Sequence, residues 1–145
     1  MKRLAVIAIL AASATSFAPQ EPPGKPAQPA ARQETFMASL KVGEFAKAYE
    51  TLVKGSRIEE KQDQVANLRD QTEKGAAAYG GIVGWDNMGI VRQDKHQAFG
   101  IALLATKQVP VYFYFVWYRT SETAPWMLIN VWFSDVSKDY WQLRW

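Results

Sequence analysis

The chain has no cysteine and a single histidine in 145 residues. No disulfide can staple it, so its stability rests on the core alone. Zinc and copper sites of ordinary composition, which need several Cys or His ligands, are excluded as well. No apolar run reaches the roughly 20 residues that carry a helix comfortably across a bilayer. Net charge is also missing where it would matter. The whole chain carries 17 Lys and Arg against 14 Asp and Glu, but from Gln33 onward the balance is 13 against 13. A domain without net charge lacks the positive field that holds nucleic acid, so no nucleic-acid partner is expected. There is no Gly-x-Ser-x-Gly turn, P-loop or dinucleotide-binding glycine pattern. Gly80-Gly81-x-x-Gly84 has no helix after it to receive a phosphate, and it reads as a helix-to-strand turn.

What is present begins with a leader. Met1-Lys2-Arg3 is basic, residues 4–12 (LAVIAILAA) are apolar, and small residues follow. That order is the pattern of a secretory signal peptide over residues 1–18. Cleavage fits after Ala14 or after Ala18. The second would place Pro19 just past the cut, where its fixed φ and missing N–H suit an extended protease cleft poorly. The alternative is a retained membrane tether. The expected location is therefore periplasmic or secreted, with no membrane span once the leader is gone. Residues 19–33 hold Pro19, Pro22, Pro23, Gly24, Pro26 and Pro29 among Ala, Gln and charge. Such a stretch buries too little apolar surface to offset its chain entropy and reads as a linker.

Residues 34–145 are expected to form one domain. Phe36, Met37 and Leu40 open a helical pattern that Gly43 interrupts. It resumes with Phe45, Ala48, Tyr49, Leu52 and Val53 on one face. Gly55 can end that helix in the left-handed conformation. Ser56-x-x-Glu59 reads as a capping box starting the next helix. Ile58, Val65, Leu68, Thr72, Ala76 and Tyr79 then make one stripe, opposite a charged and solvated face. From Ile82 the period changes to that of strands. Residues 82–92 form the first, with bulges expected at Gly84 and Gly89. Residues 99–106 form the second.

The last two strands are the aromatic ones. From Val109 onward lie 12 of the 19 aromatic residues, including five of six tryptophans. Residues 111–118 (VYFYFVWY) place Val111, Phe113, Phe115 and Trp117 on one face. Residues 125–133 (PWMLINVWF) place Met127, Ile129, Val131 and Phe133 opposite Trp126, Leu128, Asn130 and Trp132. Both faces are largely apolar, so both call for cover: helices on one side, and the tail, sheet curvature or a second copy on the other. The expected fold is α+β, with N-terminal helices packed on a strongly curved four-stranded antiparallel sheet.

The segments Val42-Gly43-Glu44-Phe45-x-x-Ala48-Tyr49, Tyr79-Gly80, Phe113-x-Phe115-x-x-Tyr118 and Ala124-Pro125-Trp126-x-Leu128-x-Asn130-x-x-Phe133 resemble small exported bacterial domains of the nuclear transport factor two-like superfamily. That cystatin-like cone is also used by ketosteroid isomerases and polyketide cyclases. The resemblance implies helices inside a bent sheet, an apolar cavity at the cone mouth and frequent homodimerisation through the sheet. Its enzymes need an acid or base inside the cone, and this chain departs from that pattern. His96 sits in a charged turn, Asp94-Lys95-His96, where nothing would desolvate it. Asp86 and Asp135 close strands, as turn-forming or capping aspartates do. Asp86 is the one candidate cavity acid for a lyase or isomerase.

The favoured expectation is a non-enzymatic binding or interaction domain with no metal and no cofactor. It would act by aromatic burial of an envelope protein, of itself, or of a small apolar ligand. Phe45, Tyr49, Tyr79, Trp85, Trp117 and Trp132 are the candidate cavity-lining residues, since they combine size with amphipathic tips. Plain core is the competing role for each of them.

Overall fold

A computed structural model describes residues 28–135. The expected leader with its cleavage sites, most of the expected linker and the residues after Asp135 lie outside these described residues. Among the described residues, three helices pack on a four-stranded antiparallel sheet of order β1-β2-β3-β4. The fold is α+β, as the change of period implies.

Helix α1 (Pro29–Lys41) starts earlier than the Glu34 expected from composition. Pro29 sits in its first turn, where a missing N–H costs nothing and a preset φ helps. Residues 29–33 therefore belong to the domain and not to the linker. The helix ends where Gly43, at φ +80°, turns the chain. The Glu44 N–H bonds to the Ser39 carbonyl at 3.0 Å and the Gly43 N–H to the Leu40 carbonyl at 3.1 Å. That paired motif satisfies the last free carbonyls of α1 and needs a residue tolerant of positive φ. The single interrupted pattern is thus two helices, with α2 covering Phe45–Val53.

The capping box did not form. Helix α3 (Gln62–Ala78) begins beyond it and has no side-chain cap. The Ser56 hydroxyl instead donates back to the Val53 carbonyl at 2.6 Å, and Glu59 accepts from the Gly55 N–H at 2.8 Å. Both groups serve the end of α2, because residues 56–60 form a turn between the helices and start neither of them.

Strand β1 (Ile82–Gln93) pairs with β2 (Gln97–Thr106), which pairs with β3 (Pro110–Tyr118), which pairs with β4 (Met127–Ser134). The β1–β2 register slips between Ile82 and Gly84, Asn87 and Gly89, and Ile90 and Arg92. Bulges at the two expected glycines, plus a third, bend this strand and increase its twist. A further slip falls at Val116/Trp117, opposite Ile129. It overturns the simple alternation expected for β4. Leu128 and Val131 both face the helices and are buried, whereas Ile129 is 47% exposed. One extra residue switches the face of everything before it.

The core lies between the helices and the inner face of the sheet. Phe36 is its hub. Its ring meets Tyr49, Phe113 and Phe115 edge-on at centroid distances of 5.1, 5.4 and 5.8 Å. Edge-to-face contacts of this kind add about 0.5–1.5 kcal/mol each beyond area burial. Among the described residues no helix is long and apolar enough to cross a membrane.

Candidate functional site

The inner layer has a closed end and an open end. At the closed end Arg32 reaches across the domain. Its guanidinium donates to the carbonyls of Leu52 at 2.6 Å, Lys54 at 2.9 Å and Trp126 at 3.2 Å. It also lies 5.0 Å above the Trp117 ring. Burial lowers its pKa from the ordinary arginine value. Three carbonyls and an aromatic face offset that desolvation, as charge-assisted bonds do. Next to it, the Gln33 side chain presses on Gly100, where a Cβ would fall on the amide itself. Gln33 is fully buried, and its amide has no hydrogen-bond partner among the described residues.

The open end lies between α3 and the C-terminal half of the sheet. A cavity of about 260 Å³ opens there. Leu104, Val111, Phe113 and Phe133 form its apolar wall, and α3 contributes Thr72, Gly75 and Ala76. Tyr79 and Asp135 stand at its rim, where the phenol donates to the carboxylate at 2.9 Å. That hydrogen bond, the aspartate's charge and slight desolvation raise the Tyr79 pKa. Deeper in, Thr72 donates to the Leu68 carbonyl at 2.8 Å. Its only proton is thereby committed, so the 2.6 Å contact with Tyr49 must be donated by the tyrosine. Burial pushes the Tyr49 phenol well above the usual tyrosine value, with the Thr72 bond a smaller opposing effect.

The proton count decides what this cavity offers. The Thr72 and Tyr79 protons are taken, and Asp135 is a carboxylate. These three groups therefore present lone pairs, and a guest meets acceptors in an apolar chamber.

The six sequence candidates are scattered across the fold. Tyr79 lines the cavity. Tyr49 is buried in the core and touches the cavity only through Thr72. Trp117 is fully buried at the closed end, stacked 6.3 Å from Phe115. Phe45 is half-buried at the start of α2 against the same core. Trp85 borders a shallow depression with α1 residues Thr35 and Ala38. Trp132 lies on the outer face, stacked on Tyr114 at 5.2 Å, with the sheet between it and the cavity. Sequence reasoning missed the wall residues Leu104, Val111, Phe113 and Phe133, and it assigned Asp135 to a turn. The signal for the wall was the shared face of Val111, Phe113 and Phe133. Nothing local pointed to the Tyr79–Asp135 pair.

Asp86 is exposed, and its partner in the ladder, Leu103, belongs to the outer row of β2. It is no cavity acid, because the sheet separates it from the chamber. His96 is exposed in the β1–β2 turn, with Nδ1 3.1 Å from the Arg119 carbonyl. Arg119 ties that turn to the next one, donating to the Lys95 and Glu122 carbonyls and lying 4.4 Å over the Trp126 ring. No cluster of His and carboxylate ligands suited to a metal occurs among the described residues.

A second groove, of about 520 Å³, runs past Ile58, Tyr118, Met127 and Ile129 with Arg57 and Lys61 beside it. It is larger, but Tyr118 and Ile129 are open to solvent. The chamber at α3 fits a specific site better, since convergent polar groups meet a mostly apolar wall there. Compared with family models, curated proteins and solved structures, the chain matches none.

Proposed function

We propose that this is an exported, non-enzymatic binding domain of the nuclear transport factor two-like kind, which holds a small apolar molecule bearing a hydrogen-bond donor. The acceptor-lined cavity beneath α3 carries the proposal. Its volume of about 260 Å³ falls just below the roughly 300 Å³ at which drug-sized pockets begin, so the guest is about one ring in size. The walls supply burial, worth on the order of 25 cal/mol per Å² of apolar surface removed from water. Asp135, Tyr79 and Thr72 select a hydroxyl or amine over a carboxylate, which the aspartate repels. Export rests on the basic, apolar and small-residue order of residues 1–18, and the mass of the mature protein tests it.

The binding test uses benzyl alcohol, benzylamine and benzoate, followed by native mass spectrometry or by tyrosine and tryptophan fluorescence. The alcohol and the amine should bind and benzoate should not. Gly75→Leu places a side chain in the cavity from a helical position where a Cβ meets nothing within 4 Å. That variant should stay folded and lose binding. Unchanged binding in Gly75→Leu would remove the cavity from consideration.

A second reading keeps the lyase or isomerase and moves its acid from Asp86 to Asp135. The hydrogen bond from Tyr79 at the cavity rim favours it, since a positioned carboxylate beside an apolar chamber can accept a proton from a bound substrate. A turnover that disappears in Asp135→Asn while the alcohol still binds would favour the enzyme over the carrier.

A further inference from the structure

The groove of about 520 Å³ lies at the opposite end of α3 from the chamber and is twice its size. One wall is the turn that leads into α3, where Ile58 is half-buried against the core. The other wall is the start of β4, a strand at the edge of the sheet. The slip at Val116/Trp117 leaves Ile129 out of the ladder and turned toward water. Leu128, fully buried, closes the floor, while Tyr118 and Ile129 stand 38% and 47% exposed at the mouth. Contiguous exposed apolar side chains mark an interaction site.

The charge around this strip has one sign. Arg57 and Lys61 border the groove with the Thr120 hydroxyl, and no carboxylate lines it among the described residues. Glu59, in the same turn, accepts from the Gly55 N–H and lines a different depression between α2 and α3. Glu60 is exposed and does not line the groove. The ion pairs among the described residues engage Lys47, Arg69, Arg92 and Lys95, and they leave Arg57 and Lys61 out. Two like charges beside one groove repel, and an anion between them turns that repulsion into attraction. A guanidinium takes a carboxylate through two parallel N–H donors, and an ammonium adds a point charge.

We propose that this groove binds a free single-chain carboxylate, its head held by Arg57 and Lys61 and its chain laid along Ile58, Met127 and Ile129. Charge complementarity selects the head. The apolar walls select the chain, since each methylene fully buried is worth about fourfold in affinity. Concavity selects a free molecule over a membrane surface. Ile58 and Leu128 lie below the exposed rim, and a flat bilayer would reach only Tyr118 and Ile129. Benzoate, which the chamber repels, brings the anion with no chain and gains little here. The two sites then sort guests by charge, a hydrogen-bond donor at one end of α3 and an anion at the other.

The test titrates the full chain with decanoate and with decyltrimethylammonium by isothermal titration calorimetry. The two probes carry chains of similar length and opposite charge. Decanoate should bind, and the cation should bind about tenfold more weakly or not at all. Combining Arg57→Gln with Lys61→Gln should weaken decanoate by about tenfold or more, the loss of at least one charge-assisted bond. The melting point should change little, because both side chains are exposed. Ile129→Glu should also weaken decanoate, by setting a carboxylate in the groove. Gly75→Leu stands about 20 Å further along α3 and should leave decanoate binding intact, so this proposal and the chamber fail separately. Unchanged binding in the double variant, equal binding of both probes, loss of decanoate in Gly75→Leu, or no decanoate binding at all would overturn the proposal. Retention on phosphatidylglycerol vesicles without uptake of free decanoate would overturn it too, by making the patch a membrane contact.

Discussion

The two ends of the inner layer are built from the same materials and finished differently. At the Arg32 end buried polar groups are pressed close together. Gln33 occupies the space a Gly100 side chain would need, and Arg32 bonds three carbonyls from two parts of the chain. At the α3 end Phe113 and Phe133 wall a chamber that nothing described fills, and small residues, Gly75 and Ala76, keep the helix away from it. The closed end spends a buried, unbonded amide to hold the elements together. The open end forgoes packing and keeps a space. On the proposed reading, stability and binding are divided along one layer. Substitutions at one end should change the melting point, and at the other the guest.

The largest test of that division is Trp117→Ala. Removing a fully buried indole should cost about 3–5 kcal/mol, as large core truncations do, and it also takes the ring from under Arg32. Thermal melting checks it, and a variant that keeps its melting point but loses a ligand would put the binding site at the closed end. Arg32→Ala comes next, since it leaves the Leu52 and Trp126 carbonyls without their donor. Charge-assisted bonds of this kind are worth about 1.5–3 kcal/mol, and urea denaturation should show a lower midpoint at unchanged slope. Gly100→Ala should cost about 1–3 kcal/mol through overpacking against Gln33. Gln33→Ala should relieve part of that cost, and a double-mutant cycle in which the two effects simply add would show that the close approach carries no energy.

The smallest effect belongs to the open end and has the opposite sign. Gly75→Ala should stabilise α3 by about 1 kcal/mol, the helix-propensity gain over glycine, because the added methyl group meets nothing within 4 Å. A loss of stability there would mean that the cavity is smaller than its walls imply.

The aromatic strands were legible because Val111, Phe113, Phe115 and Trp117 alternate without interruption, and β3 carries that alternation into the core. Gly84 and Gly89 marked bulges because a glycine inside a strand is a common sign of one. The closed end was hidden by composition. Arg32 and Gln33 follow a run of prolines, and their partners lie at the end of α2, in β2 and just before β4, distances no local pattern reports. The Ser56 box misled because a capping sequence can serve a helix behind it as readily as one ahead. Leu128 changed face because a bulge at Ile129 leaves no trace in alternation. The Tyr79–Asp135 pair spans 56 positions and exists only once the sheet has closed against α3.

Arg32 also sets an order of events. Its bond to the Trp126 carbonyl joins positions 94 residues apart. A chain emerging from its N-terminus presents the arginine early and the acceptor near the end, so this latch cannot engage until the final strand arrives. Long-range closures of this sort slow folding. Until that bond forms, the two halves of the inner layer are free to move past one another, and the chain stays pliable while the sheet is assembled.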